Sequence, residues 1–204
     1  MSARPAPPVP VEERIEDAVF ELMRERDIPE ITAVSVCRLA GVSRATFYRH
    51  FRSVDDVVKR FEDRILATMQ VINSGALRFR SGKSELDPSA AMIERMEFLS
   101  AHRSKLIALT GPHGDPQFIH KTVVFMHQHF RERLRDMSPG GDEFDLYLSF
   151  VIAGHDNLIQ YWLEERPDLE PRFVAAVLNR LFYAPFFIGE ESALALPPEC
   201  KLLL

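Results

Sequence analysis

The sequence predicts an all-α protein in two parts. Apolar residues recur at helical spacing through nearly every segment of the 204 residues. No run shows the period-two alternation and hairpin turns of strands. One polar stretch, 76–86 ("ALRFRSGKSEL"), interrupts the pattern and marks the boundary between two helical units. A hydrophobic content of 46% supplies enough apolar side chains for a substantial core.

The elements follow in order. The leader 1–11 is proline-rich and polar, and disorder is expected there. In 12–26, Ile15, Ala18, Val19, Leu22 and Met23 form one apolar stripe, and Pro29 is expected to close the helix. Thr32 can cap a short helix over 33–39, with Val36, Cys37 and Ala40 facing inward and Gly41 ending it. Ser43 can cap a second short helix, 44–50. Ser53 and Asp56 open a long helix, 54–73, carried by Val57, Phe61, Ile65 and Met69. Beyond the boundary, Asp87-Pro88, Asp115-Pro116 and Glu170-Pro171 each set an acid and a proline at a helix start. They predict helices near 88–101, 116–137 and 171–188, with others at 103–110 and 142–165. The tail 190–204 reads as irregular.

The chain carries a formal charge of -5, yet its charge is unevenly spread. From Arg38 to Ser53 the charged residues are Arg38, Arg44, Arg49 and Arg52, with no acid among them. The preceding stretch 12–30 is dominated by glutamate and aspartate. A basic island in an acidic chain points to a local anionic partner. Two short helices joined by a glycine turn form a helix-turn-helix, whose second helix enters the major groove of DNA. Phe47 and Phe51, four apart, would lock that helix onto its neighbours, leaving Arg44 and the hydroxyl residues for bases and phosphates.

The order of elements and the run "AGVSRATFYRHF" strongly resemble the DNA-binding domain of TetR-family bacterial transcriptional regulators, over roughly residues 12–60. The resemblance implies DNA contacts by Thr32, Ser43, Arg44, Thr46, Tyr48, Arg49 and His50. Three positions depart from the family pattern. Val54 stands where a phosphate-binding lysine is common, so Lys59 or Arg60 is the expected replacement. Ala45 replaces a usual glycine, and Cys37 a usual alanine. Residues 76–189 resemble the family's helical ligand-binding and dimerisation domain in outline. An apolar effector pocket is expected among 88–137 and 142–165. Phe118, Phe125, Tyr147, His155 and Trp162 are its candidate lining, with plain core packing as the alternative for each. Gly154 in mid-helix, with Phe173, Val177, Leu181 and Ala184, is the candidate dimer interface.

Other chemistries find little support. His127 and His129 diverge on a helix and, with His120, lack neighbouring carboxylate or cysteine ligands, so no metal is expected. "GPHGDP" lacks the lysine and hydroxyl of a phosphate loop. No nucleophile–base constellation emerges, so no enzyme activity and no cofactor are expected. With no membrane-spanning run and no secretory leader, a cytoplasmic location is expected. The expected function is that of a homodimeric repressor on a palindromic operator, released by a small-molecule effector. The alternative is an effector-independent helix-turn-helix interaction or architectural protein.

Overall fold

The computed structural model describes residues 9–76, 88–133 and 141–183. Its helices are α1 (Val11–Leu22), α2 (Ala33–Ala40), α3 (Arg44–His50), α4 (Val54–Ala76), α5 (Ala90–Ala101), α6 (Arg103–Thr110), α7 (Pro116–Arg133), α8 (Asp142–Glu165) and α9 (Pro171–Tyr183). Among the described residues there is no strand. The all-α fold class is thus observed.

The local signals act through identifiable bonds. Thr32 Oγ1 accepts from the Ser35 amide while Ser35 Oγ accepts from that of Thr32, a reciprocal cap on α2. Ser43 Oγ accepts from the Thr46 amide at 3.0 Å and starts α3. Gly41 ends α2 in the left-handed region at φ 64°, where a side chain would be strained. At the start of α4, Ser53 Oγ accepts from the Asp56 amide and Asp56 Oδ2 from that of Arg52. The Arg52 amide, with Arg60 nearby, holds the Asp56 carboxyl below its ordinary pKa.

Several boundaries differ from the sequence reading; α4 runs on to Ala76, past the expected end at 73 and into the first residue of the expected boundary 76–86. Helix α1 stops at Leu22, and Pro29 lies in a separate 3₁₀ turn, Ile28–Glu30. After Met23 the stripe positions Arg26 and Asp27 are charged, so nothing anchors a further turn to the core. Helix α5 begins at Ala90, with Ser89 Oγ accepting from the Met92 amide. Asp87, the expected acid, lies outside the described residues, as do residues 1–8, the rest of the expected boundary from 77 on, residues 134–140 and everything from 184 onward.

The chain divides into two compact units: Met1–Gln70 with His102–Gln128, and Val71–Ala101 with His129–Leu204. The division does not follow chain order, because α6 and most of α7 belong with α1–α3. In the first unit, Ile15, Val19, Val36, Phe47, Phe61 and Leu109 are fully buried. Gly114 in the α6–α7 turn lies so close to the Leu109 carbonyl that a Cβ there would collide with it. In the second unit, α5 packs mainly on α9, and Met96, Leu148, Trp162 and Leu178 fill the interior. Trp162 Nε1–H donates to Leu169 O at 3.0 Å, fastening the α8–α9 turn to the helix it follows.

Candidate nucleic-acid interface and effector region

Helix α3 turns one face inward. Phe47 is inaccessible to solvent and its ring lies 6.2 Å from that of Phe51, also buried. Burial of two phenylalanines at this spacing is what holds a seven-residue helix that could not persist alone. The opposite face is open: Ser43, Arg44, Tyr48 and Arg49 are exposed and Thr46 is half-buried. Ser43 Oγ and Thr46 Oγ1 are 2.9 Å apart, so the two hydroxyls form one polar spot on the first turn. His50 Nδ1 lies 3.0 Å from Glu12 Oε1 on α1, tying the end of α3 back to the first helix. Thr32 is engaged as the α2 cap.

The Val54 departure has a structural counterpart, because the valine is buried at the start of α4. The two candidate replacements already have partners. Lys59 Nζ pairs with Asp63 at 2.7 Å, both well exposed. Arg60 pairs with Asp56 at 3.0 Å and lies over the Phe51 ring. An exposed pair of this kind is worth at most about 1 kcal/mol, so little holds Lys59 to Asp63.

The family models match both parts of the chain. Residues 15–61 match "Bacterial regulatory proteins, tetR family", and residues 87–184 match the family's "Transcriptional regulator C-terminal region". The chain belongs to the TetR family. It is a DNA-binding transcriptional regulator. Among solved structures, the fatty acid degradation regulator FadR from Bacillus halodurans aligns with a TM-score of 0.58 at 14% identity, covering 87% of this chain and 96% of that one. The TetR-family regulator PfmR from Thermus thermophilus aligns with a TM-score of 0.58 at 16% identity, over 86% and 96%. FadR from Bacillus subtilis, in complex with stearoyl-CoA, aligns with a TM-score of 0.57 at 15% identity, over 83% and 96%. At these identities the likeness is one of fold. None of the described helices is long and apolar enough to cross a membrane.

The predicted ligand set is divided between the units. Phe118, buried, and Phe125, half-buried, lie in the first; Tyr147, His155 and Trp162 lie in the second. His155 is 3% exposed, its Nδ1–H donates to Val151 O at 3.2 Å, and the Phe130 ring meets it edge-on at 5.8 Å. Burial, reinforced by the charge of Arg95, pushes its pKa down to about 4, so it is neutral at pH 7. In the predicted interface set, Phe173 and Val177 are half-buried and Leu181 exposed, while Ala184 lies outside the described residues. Gly154 is exposed, and a Cβ there would meet nothing within 4 Å. A close approach inside one subunit, the alternative reading of Gly154, is therefore not observed. The neighbouring surface of α8 presents Leu146, Phe150 and Tyr161 to solvent.

Several ionic residues escaped the sequence reading. Arg14 binds the carbonyls of Ala40 and Gly41. Glu16, nearly buried, accepts from Arg64 at 2.8 Å and from Lys105 at 2.6 Å, and Lys105 also pairs with Asp17. Burial opposes the Lys105 charge, but Asp17 and Glu16 outweigh it and raise the ammonium pKa. Glu62, 1% exposed, pairs with Lys121 at 2.6 Å, and burial lifts its pKa. In the second unit Arg95 is buried and Asp156 half-buried. The available signal was a charged residue on an apolar stripe: Met92, Arg95, Met96, Leu99, and likewise Ile152, Asp156, Ile159, Leu163.

Proposed function

We propose that this chain is a homodimeric repressor that leaves a near-palindromic operator when a small-molecule effector binds. Residues 12–60 act as the DNA-binding module, and 76–189 as the effector and dimerisation region. The observation that supports this best is the division of labour on α3: Phe47 and Phe51 are spent on packing, which leaves Arg44, Tyr48 and Arg49 exposed together. Arg44 and Thr46 read bases, and Tyr48, Arg49, His50 and Lys59 bind phosphates. The second copy docks on the apolar strip of α8 around Phe150 and Gly154, continued by Val177 and Leu181 of α9. An exposed apolar strip beside a glycine with open space favours close helix–helix approach.

The test is selection of bound fragments from randomised DNA by the purified protein, followed by release with a compound panel. FadR from Bacillus subtilis was solved with stearoyl-CoA, so acyl-CoA thioesters belong in that panel. A recovered inverted repeat and compound-dependent release support the reading. Operator binding that no compound alters, with no thermal stabilisation by any of them, favours the effector-independent alternative.

A further inference from the structure

In the first unit, Glu62 on α4 is 1% exposed, and two charged groups reach it from other elements. Lys121 Nζ on α7 donates to its Oε2 at 2.6 Å. Asp115, in the α6–α7 turn, is within hydrogen-bonding reach of the Glu62 carboxyl and lies 4.0 Å from the same ammonium. On α4 itself, Lys59 and Asp63 pair with each other at the surface, and Asp63 also acts on Lys121. Lys105 on α6 is taken up by Glu16 and Asp17. Asp115 is fixed in place. Its Oδ1 accepts from the Gln117 amide at 2.9 Å, and its own amide donates to Leu109 O at 2.9 Å.

Glu62 Oε1 is shielded from solvent and has no hydrogen-bond donor among the described residues. Two carboxylates around one ammonium also leave a negative charge uncompensated beside a buried group. A single proton cures both faults. It restores the charge balance, and it turns Oε1 from an acceptor without a donor into a donor facing a second carboxyl. Burial raises the Glu62 pKa, Lys121 pulls it down and Asp115 pushes it up again, with a net rise.

We propose that Glu62 keeps a proton and donates it from Oε1 to Asp115, forming an acid-locked latch between α4 and the α6–α7 turn that opens when the proton leaves. With the proton in place, Lys121 still donates to Oε2 and is balanced by Asp115. Without it, two carboxylates repel across the joint and share one ammonium. The latch contributes fully below the ordinary Glu pKa of 4.5 and is lost as pH rises through the raised folded value. The turn then opens locally while the rest of the unit stays closed. This inference is independent of the operator and effector readings, and its failure leaves them standing.

The experiment uses the full-length protein. Carboxyl carbon NMR follows the titration of Glu62. Hydrogen exchange of the Asp115 amide, corrected for the intrinsic effect of pH, follows the turn. In the wild type, protection at Asp115 is expected to be lost as Glu62 ionises. Glu62→Gln can still donate to Asp115 but cannot ionise, so it should keep that protection throughout. Asp115→Asn keeps an oxygen to cap α7, and it should move the Glu62 titration to lower pH. A second tie must be separated: His113 Nδ1 lies 2.7 Å from Asp27 Oδ1, a pair that is ionic only while the imidazole is protonated. Asp27→Asn should therefore leave the Glu62-linked loss in place. A Glu62 titration that Asp115→Asn does not move overturns the proposal, and this reading stands even if Glu62→Gln fails to fold. A loss of protection that persists in Glu62→Gln, or disappears in Asp27→Asn, overturns it as well.

Discussion

Arg14 on α1 holds the turn of the helix-turn-helix through Ala40. Its Nε and Nη2 donate to the Ala40 carbonyl at 3.1 and 2.5 Å, and Nη2 also to Gly41 O at 2.9 Å. These are carbonyls that the end of α2 leaves without helical partners, and a cation is well placed there. A Cβ on Gly41 would come within 3.2 Å of the same nitrogen. Arg14→Met should destabilise the protein by about 1–3 kcal/mol, toward the lower end because the site is partly exposed. Operator affinity should fall well below the melting point, since the entry angle of α3 loosens. Thermal melting and fluorescence anisotropy on labelled operator check both; unchanged affinity at low temperature would sink the second part.

On the open face of α3, Arg44→Ala should relax base preference at one operator position by about 1–3 kcal/mol. Tyr48→Phe and His50→Ala should weaken all sequences nearly alike. A position-by-position competition assay separates the two patterns. For Lys59→Ala, the slope of log affinity against log salt should become shallower by about 1 per half-site if the lysine meets a phosphate.

Glu16 joins α1 to both α4 and α6 through Arg64 and Lys105. Lys105→Met removes the α6 arm and leaves Glu16 with Arg64. A loss of about 1–3 kcal/mol is expected from this mostly buried ion pair. Urea unfolding measures it, and a change below about 0.5 kcal/mol would show the α6 arm to be energetically idle.

The pH dependence of stability should report His155. Its folded pKa of about 4 lies below the ordinary 6.5, so the unfolded chain takes up the proton first as pH falls. The stability from neutral His155 is full above 6.5 and drains away down to about 4. Asp156 runs the other way. With its pKa raised from 3.8 to about 6, its contribution is present in acid and lost as pH rises through 6. His155→Phe removes only the first effect. Relative to wild type, the variant should therefore gain about 2 kcal/mol between pH 7 and pH 5. Equal differences at the two pH values would mean that His155 is not held neutral.

Gly154 tests the dimer surface. With nothing near its Cβ, Gly154→Ala should add about 1 kcal/mol of helix stability within a subunit. Gly154→Leu and Phe150→Glu should instead shift the protein toward monomer and weaken binding to a two-half-site operator. Sedimentation at several concentrations reads the change. A monomeric wild-type protein would remove the premise.

The sequence by itself determined most of the helices, their caps and which face of α3 stays open. Those signals are local: Thr32 and Ser43 cap the residues that follow them, Gly41 supplies its own backbone freedom, and Phe47 and Phe51 are one turn apart. The helix-turn-helix could be read because one short run contains nearly all of its chemistry. Only the tertiary structure decided which charges are buried and with whom. Glu16 meets Lys105 across 89 positions of chain, and Arg14 meets Ala40 across 26. Periodicity marks Arg95 and Asp156 as lying on apolar stripes but names no partner for either. Nor did the sequence assign α6 and most of α7 to the same unit as α1–α3. That assignment depends on which apolar and ionic faces meet in space, and spacing along one helix carries no information about the helix that packs against it.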